Sequence, residues 1–156
     1  TSSPFGLHAE RMFSHYSTAK AAVIGLTKAL ALEGQEHNIC ANAVAPFSAS
    51  RMTGKTNDQQ QSSAFGPRYL AQLAIWLSHG SNSETGSVFE VGGGYVHKVR
   101  LELSRGVHLL DAEHTAENIA RDAAKLDDFT DAHHPGVGEW STIGKESYGD
   151  DWSQKF

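Results

Sequence analysis

The chain has 156 residues, of which 39% are hydrophobic and 20% charged, and its formal net charge is −5. This length is that of one ordinary domain. The acidic balance argues against nucleic acid as a partner, because phosphates need a basic face. It also argues against an anionic membrane surface, and no apolar run approaches the roughly 20 residues that span a bilayer.

The sequence offers little for metal or disulfide chemistry. A single cysteine, Cys40, forbids an internal disulfide and is typical of a reducing compartment. The nine histidines form no H-x-x-x-H pair, and one cysteine cannot build a zinc cluster. We therefore predict no metal site. We expect a cytoplasmic location, with a peroxisomal one open in a eukaryote although the final residues SQKF are not an S-K-L signal.

The first part of the chain predicts one helix and one strand. The polar residues 1–13 indicate a loop. Apolar and small residues recur at helical spacing over 16–33, with Ser14 as the predicted N-cap and Gly34 just past the end. The alternating run NICANAVAP, residues 38–46, predicts a strand that ends at proline.

After a polar loop over residues 47–66, the second part of the chain again predicts one helix followed by one strand. The run GPRYLAQLAIWLSHG predicts a helix with Pro67 in its first turn. Its apolar face consists of Leu70, Leu73, Ala74 and Leu77. The run GSVFEVGGG, residues 86–94, predicts a strand that ends in a tight glycine turn. A surface helix is predicted over 115–129, and its expected inward residues are Ile119, Ala123, Leu126 and Phe129.

The order helix, strand, helix, strand indicates an α/β fold, namely the second half of a sandwich with a parallel sheet. Two strands alone make a poor sheet. The residues therefore look like one piece of a larger fold.

The run SHYSTAK, residues 14–20, carries the strongest chemical signal. Tyr16 and Lys20 lie one helical turn apart, where Cβ atoms are roughly 5–6 Å from each other. A phenol has a reference pKa of about 10, and a cation within ~4–6 Å favours its ionised form. Such a phenol can exchange a proton with an alcohol or carbonyl. Ser3, thirteen residues earlier, offers a hydroxyl that could hold the substrate oxygen.

Y-x-x-x-K alone also occurs in helices where the tyrosine packs and the lysine is solvated. The order of the whole set favours catalysis: SS-x-x-G, then YSTAKAAVIGLTKALALEG, NICANAVAP and GSVFEVGGG. This set resembles the short-chain dehydrogenase/reductase family over about residues 1–98. The runs SRMT and GGGYVHKVR are most similar to the (3R)-hydroxyacyl-CoA dehydrogenase domains of multifunctional β-oxidation enzymes.

The resemblance implies the C-terminal portion of a Rossmann-like, doubly wound parallel sheet, whose N-terminal dinucleotide-binding half is missing from these residues. It implies a catalytic half-domain over 1–98 and a partly helical extension over 99–156. It also implies that Ser3 holds the substrate oxygen, that Tyr16 is the general acid and base, and that Lys20 favours the phenolate and binds the nicotinamide ribose.

By the same resemblance, the cofactor is NAD or NADP and the substrate is a small molecule, a 3-hydroxyacyl thioester such as an acyl-CoA or a similar secondary alcohol. The implied cofactor-binding residues are Tyr16, Lys20, Pro46, Phe47, Ser48, Arg51 and Thr53. The loop 54–66 would close over the substrate. Helix 16–33 would form a homodimer interface in the full-length parent.

Two features depart from the family pattern. Phe47 stands where a glycine usually follows the strand-end proline, and G-x-G-x-x-G occurs nowhere in the chain. We therefore expect residues 1–156 to be inactive by themselves. The alternative is a truncated, non-catalytic relative that acts as a dimerisation module through the small residues of helix 16–33. Such a module has no need for Ser3, Tyr16 and Lys20 together, so the sequence favours descent from an enzyme.

Overall fold

A computed structural model of the chain describes residues 1–49 and 65–138. Contacts divide the chain into two compact units, Thr1–Val99 and Arg100–Phe156. The predicted cofactor residues Arg51 and Thr53, and nearly all of the predicted substrate loop 54–66, lie outside the described residues.

The first unit opens with a short helix where we predicted a loop. Helix α1 spans Pro4–His8. The hydroxyl of Ser3 accepts a hydrogen bond from the Phe5 N–H, so that this serine is the N-cap. Pro4 occupies the first helical position, where its missing N–H costs nothing. The prediction failed because five residues are too few to show a helical period.

Helix α2 spans Ser14–Glu33 and confirms the predicted helix, with Gly34 at its C-terminal end. The predicted N-cap is wrong, because Phe13 occupies that position without a side-chain hydrogen bond and Ser14 is the first helical residue. The buried side of α2 carries Thr27 and Ala31. The recurring apolar residues, Ala22, Leu26, Ala29 and Leu30, are exposed.

Strand β1 is Ala43–Pro46, shorter than the predicted 38–46. Before it, a 3₁₀ turn at Gln35–His37 and a left-handed Asn38 with φ of 56° carry the chain from helix to strand. Asparagine tolerates that conformation because its short amide can bond locally. The alternating pattern over residues 38–46 therefore predicted a strand correctly only for its last four residues, Ala43–Pro46.

Strands β2, Val88–Gly92, and β3, Tyr95–Val99, form a hairpin of which only β2 was predicted. Gly93 and Gly94 have φ of 58° and 88°. Two central residues with positive φ are what a two-residue type I′ turn needs. The triple glycine is thus the tight turn we expected, and the strand that follows it is the element we missed.

The sheet has the order β1-β2-β3. β1 pairs with β2 in parallel, as predicted, and β3 adds an antiparallel edge, so the sheet is mixed. Helix α3, Arg68–Leu77, packs on one face of it. The core there is Leu73, Phe89 and Val91, surrounded by Val44, Tyr69, Leu70 and Leu77. Ala74, expected on the same face, is exposed.

The second unit contains two short helices in place of the single helix predicted over 115–129. Helix α4 is Ala116–Arg121 and helix α5 is Ala123–Leu126. Asp122 leaves helical geometry between them, and its carboxylate accepts hydrogen bonds from Arg121 and Lys125, both at 2.8 Å. These two cations, Arg121 foremost, lower the pKa of Asp122 to about 2. The residues expected to face inward are exposed, namely Ile119, Ala123, Leu126 and Phe129.

Among the helices of the described ranges, none is long and apolar enough to cross a membrane.

An ion pair closes the base of the β2–β3 hairpin. The Lys98 Nζ and the Ser87 hydroxyl each donate to the Glu84 Oε1 at 2.5 Å. The Lys98 hydrogen bond, with that of Ser87, holds the pKa of Glu84 below its usual range. A carboxylate with a lowered folded-state pKa stabilises the fold above its unfolded pKa and loses this contribution as pH falls through the folded value.

We expect Glu84→Gln and Lys98→Met each to cost about 0.5–1 kcal/mol at neutral pH, as a partly exposed pair does. The difference from wild type should shrink as pH falls below about 4.5. Chemical denaturation at pH 7 and at lower pH measures it. A deficit that is the same at every pH would contradict the assignment.

Candidate active site

The candidate site lies where α1 crosses the first turns of α2. The Phe5 ring packs edge-on against Phe13, with centroids 5.2 Å apart, and against Tyr16 at 5.9 Å. At the other end of α1, the His8 Nε2 lies 3.0 Å from the Glu90 Oε2 on β2. Aromatic contacts thus hold α1 on the start of α2, and a polar contact joins its other end to β2.

Tyr16 and Lys20 share one face of α2. The Lys20 Nζ lies 5.6 Å from the centroid of the Tyr16 ring and donates to the Thr1 carbonyl at 3.1 Å. Tyr16 is 37% exposed. The phenol is therefore open to a ligand, and a cation lies beside it.

Ser3 is nearly buried, at 9% exposure. Its Oγ accepts the Phe5 N–H at 3.2 Å, which occupies a lone pair of the hydroxyl. A serine hydroxyl has one donor and two acceptor positions. The capping bond therefore leaves the O–H donor for another acceptor, such as a substrate oxygen.

Two contacts that the sequence analysis did not identify join the Ser3 segment to Lys20. The Ser2 hydroxyl donates to the Lys20 carbonyl at 2.7 Å. A Cβ on Gly6 would lie 2.7 Å from the Lys20 carbonyl carbon and 2.9 Å from the Ala21 nitrogen, closer than real contacts allow. Both residues belong to the SS-x-x-G run, which was the available signal for them.

The end of β1 supplies the second part of the predicted site. The Phe47 N–H donates to the Val91 carbonyl at 2.8 Å, which extends the strand pairing one residue past Pro46. The Phe47 ring is 52% exposed and packs edge-on against Phe65 at 5.3 Å. The Ser48 hydroxyl donates to the Phe65 carbonyl at 3.0 Å. This serine is thus engaged with the backbone, and Phe47 presents an aromatic surface.

The two parts are linked through the backbone of Ser2. Its N–H donates to the Val44 carbonyl at 2.7 Å, so the segment that carries Ser3 lies beside β1. No group of three histidine, cysteine or carboxylate side chains within 1–49 and 65–138 could hold a metal ion.

A family model described as short chain dehydrogenase matches residues 1–61. The chain is 38% identical over 144 residues to the peroxisomal multifunctional enzyme A of Dictyostelium discoideum, which is 92% of this chain and 32% of that protein. It is 37% identical over 150 residues to the peroxisomal hydratase-dehydrogenase-epimerase of Neurospora crassa, or 94% of this chain and 17% of that one. The chain belongs to the short-chain dehydrogenase family.

The fold of this short-chain dehydrogenase chain agrees with a solved relative. The structure of full-length peroxisomal multifunctional enzyme type 2 from Drosophila melanogaster matches it with a TM-score of 0.77 and 25% identity. The match covers 93% of this chain and 27% of that one. This confirms the predicted partial Rossmann-like α/β fold. The chain spans about a third or less of the length of each of these three relatives.

The close approach at Gly6 can be tested by adding one methyl group. We expect Gly6→Ala to cost about 1–3 kcal/mol of the free energy of unfolding, because the new Cβ must push α1 away from backbone atoms. Gly80→Ala is the matched control, since a Cβ there meets nothing within 4 Å. Alanine at that exposed site should change the free energy of unfolding by less than about 0.5 kcal/mol. Chemical denaturation measures both, and equal effects would refute the packing role of Gly6.

Proposed function

We propose that these residues form the catalytic half of an NAD- or NADP-dependent dehydrogenase. In the full-length protein it interconverts a 3-hydroxyacyl thioester and its 3-oxo form. The observation that carries the proposal is the position of the Lys20 ammonium, 5.6 Å from the Tyr16 ring, on a helix turn against which the Ser3 segment is docked. An acid–base group and a cation on one helix face, with a hydroxyl on the segment docked against that helix, are the groups that such a reaction needs.

In the oxidation direction, Tyr16 as phenolate takes the proton of the substrate hydroxyl, and Ser3 donates its O–H to the same oxygen. A nicotinamide cofactor, when bound, would supply the hydride acceptor in this direction and the hydride donor in the reverse one. In the reduction direction, Tyr16 gives its proton to the oxygen that was the carbonyl. The Lys20 ammonium lies beside the Tyr16 ring and would face the phenol oxygen during this proton transfer.

The residues at this place suit the ribose of a nicotinamide cofactor. An ammonium has three donors, and one of those on Lys20 bonds to the Thr1 carbonyl. The remaining donors and the Tyr16 hydroxyl match the chemistry of neighbouring ribose hydroxyls. Pro46, Phe47 and Ser48 would line the nicotinamide, with Phe47 as an apolar wall. Arg51 and Thr53 remain predicted contributors from sequence alone.

The substrate class is supported by the runs SRMT and GGGYVHKVR. It is also supported by the name of the Neurospora relative, a peroxisomal hydratase-dehydrogenase-epimerase. The same names favour the peroxisome over the cytoplasm as the place of action. The non-catalytic alternative is less well supported, since a dimerisation module has no need for a phenol and an ammonium on one face.

The assignment of Tyr16 as the acid–base group predicts that removal of a single hydroxyl greatly lowers the turnover rate. In the full-length protein, with 3-hydroxybutyryl-CoA and NAD, Tyr16→Phe should lower kcat by about 10²- to 10⁴-fold, because one hydroxyl carries the proton. Lys20→Met and Ser3→Ala should each lower kcat as well. His15→Phe, at the exposed neighbouring position, is the control and should leave turnover unchanged. The absorbance of reduced nicotinamide follows the reaction, and an active Tyr16→Phe variant would refute the mechanism.

We further propose that the full-length protein is a homodimer through α2. The outward side of this helix is apolar and small, and Leu26 and Leu30 are 58% and 46% exposed. Gly25 directly precedes Leu26, and a Cβ added to it would meet no atom within 4 Å. A second helix could therefore approach α2 closely at this glycine.

A charge at this surface tests the dimer. Gly25→Glu should convert the full-length dimer to monomer, because it places a carboxylate in an apolar contact. Gly80→Glu is the matched control, since a Cβ there also meets nothing within 4 Å. Sedimentation of both variants measures the mass. A Gly25→Glu variant that stays dimeric would place the interface elsewhere.

A further inference from the structure

Ser2 is the most deeply buried hydroxyl near the candidate site, at 2% exposure. Its N–H donates to the Val44 carbonyl on β1 and its Oγ donates to the Lys20 carbonyl on α2, both at 2.7 Å. One residue thus fixes the spacing between the sheet and the helix that carries Tyr16 and Lys20.

The Lys20 carbonyl does not need this hydrogen bond for helix formation. A carbonyl in the middle of an α-helix normally accepts the N–H four residues further on. The Ser2 hydroxyl is therefore an additional donor, directed at the turn that carries the catalytic lysine. Its effect is to fix where that turn lies.

Three contacts from the first six residues meet at Lys20. The Ser2 hydroxyl bonds its carbonyl, the Thr1 carbonyl accepts from its Nζ at 3.1 Å, and Gly6 packs against its backbone. The backbone and the ammonium of one residue are thus held by the same segment. That segment also carries Ser3, the next residue after Ser2.

We infer that Ser2 is a positioning residue, whose buried hydroxyl sets the place of Ser3 relative to Tyr16 and Lys20. This inference rests on the proposed dehydrogenase function. A reacting group displaced by about 1 Å can cost 10²-fold in rate. Removal of the Ser2 hydroxyl takes away the one of these three contacts that is a buried side-chain hydrogen bond, without removing any group that touches the substrate.

The test compares two buried serines in the full-length protein, assayed with 3-hydroxybutyryl-CoA and NAD. Ser2→Ala should lower kcat by roughly 10- to 100-fold per folded molecule. Ser87→Ala is the matched control, because Ser87 is also buried and its hydroxyl bonds Glu84 at the hairpin. It should lose comparable stability and keep the wild-type kcat. Circular dichroism gives the folded fraction of each variant.

Ser2→Cys keeps one heavy atom beyond Cβ and replaces a strong donor by a weak one. It should fold even if Ser2→Ala does not, and it should show part of the loss in kcat. If wild type is active and the folded Ser2 variants keep its kcat, the positioning role is overturned and the dehydrogenase function stands. If Ser87→Ala loses as much kcat as Ser2→Ala, the effect is structural and the inference also falls. A wild type without turnover would overturn both the function and the inference.

Discussion

The contact between α1 and the Lys20 turn of α2 is the constraint on which the candidate site depends. It requires a glycine at position 6, because any Cβ there would overlap the backbone of α2. It also requires the Ser2 hydroxyl, which bonds the Lys20 carbonyl at this crossing. With both in place, Ser3 and Tyr16 lie on elements that pack directly on each other, although twelve residues separate them in the chain.

This packing matters because Tyr16, the proposed acid–base group, is partly exposed to solvent. Tyr16 is 37% exposed, and charges near water interact weakly because the solvent screens them. The proposed proton transfer therefore needs the Lys20 ammonium held at a fixed short distance from the Tyr16 ring. A ligand that covers this face would exclude water and strengthen the same interaction. The protein supplies the geometry, and a bound cofactor and substrate would complete the low-dielectric environment.

Sequence patterns predicted the elements that have a clear period. Helices α2 and α3 and strand β2 were found where expected, because each repeats apolar residues over several turns or alternates them. The patterns failed where a single residue decides the structure. Ser3 caps a helix of only five residues. Gly93 and Gly94 turn the chain into a strand that was not predicted. Asp122, whose carboxylate accepts hydrogen bonds from Arg121 and Lys125, lies between two short helices. The spacing on α2 also identified a helix without showing which side is buried, since small residues suit both sides.

In the candidate site, too, local spacing could be predicted from the sequence and tertiary contacts could not. The i,i+4 spacing was enough to bring Tyr16 and Lys20 to one face, since helix geometry alone determines it. The docking of Ser3 could not be derived in this way, because it depends on tertiary contacts from three directions. Ser2 bonds β1 and α2, Gly6 permits the close crossing, and His8 at the far end of α1 meets Glu90 of β2. The last pair is partly exposed and is worth at most about 1 kcal/mol. The buried contacts at Ser2 and Gly6 are therefore the ones that decide where α1, and with it Ser3, is held.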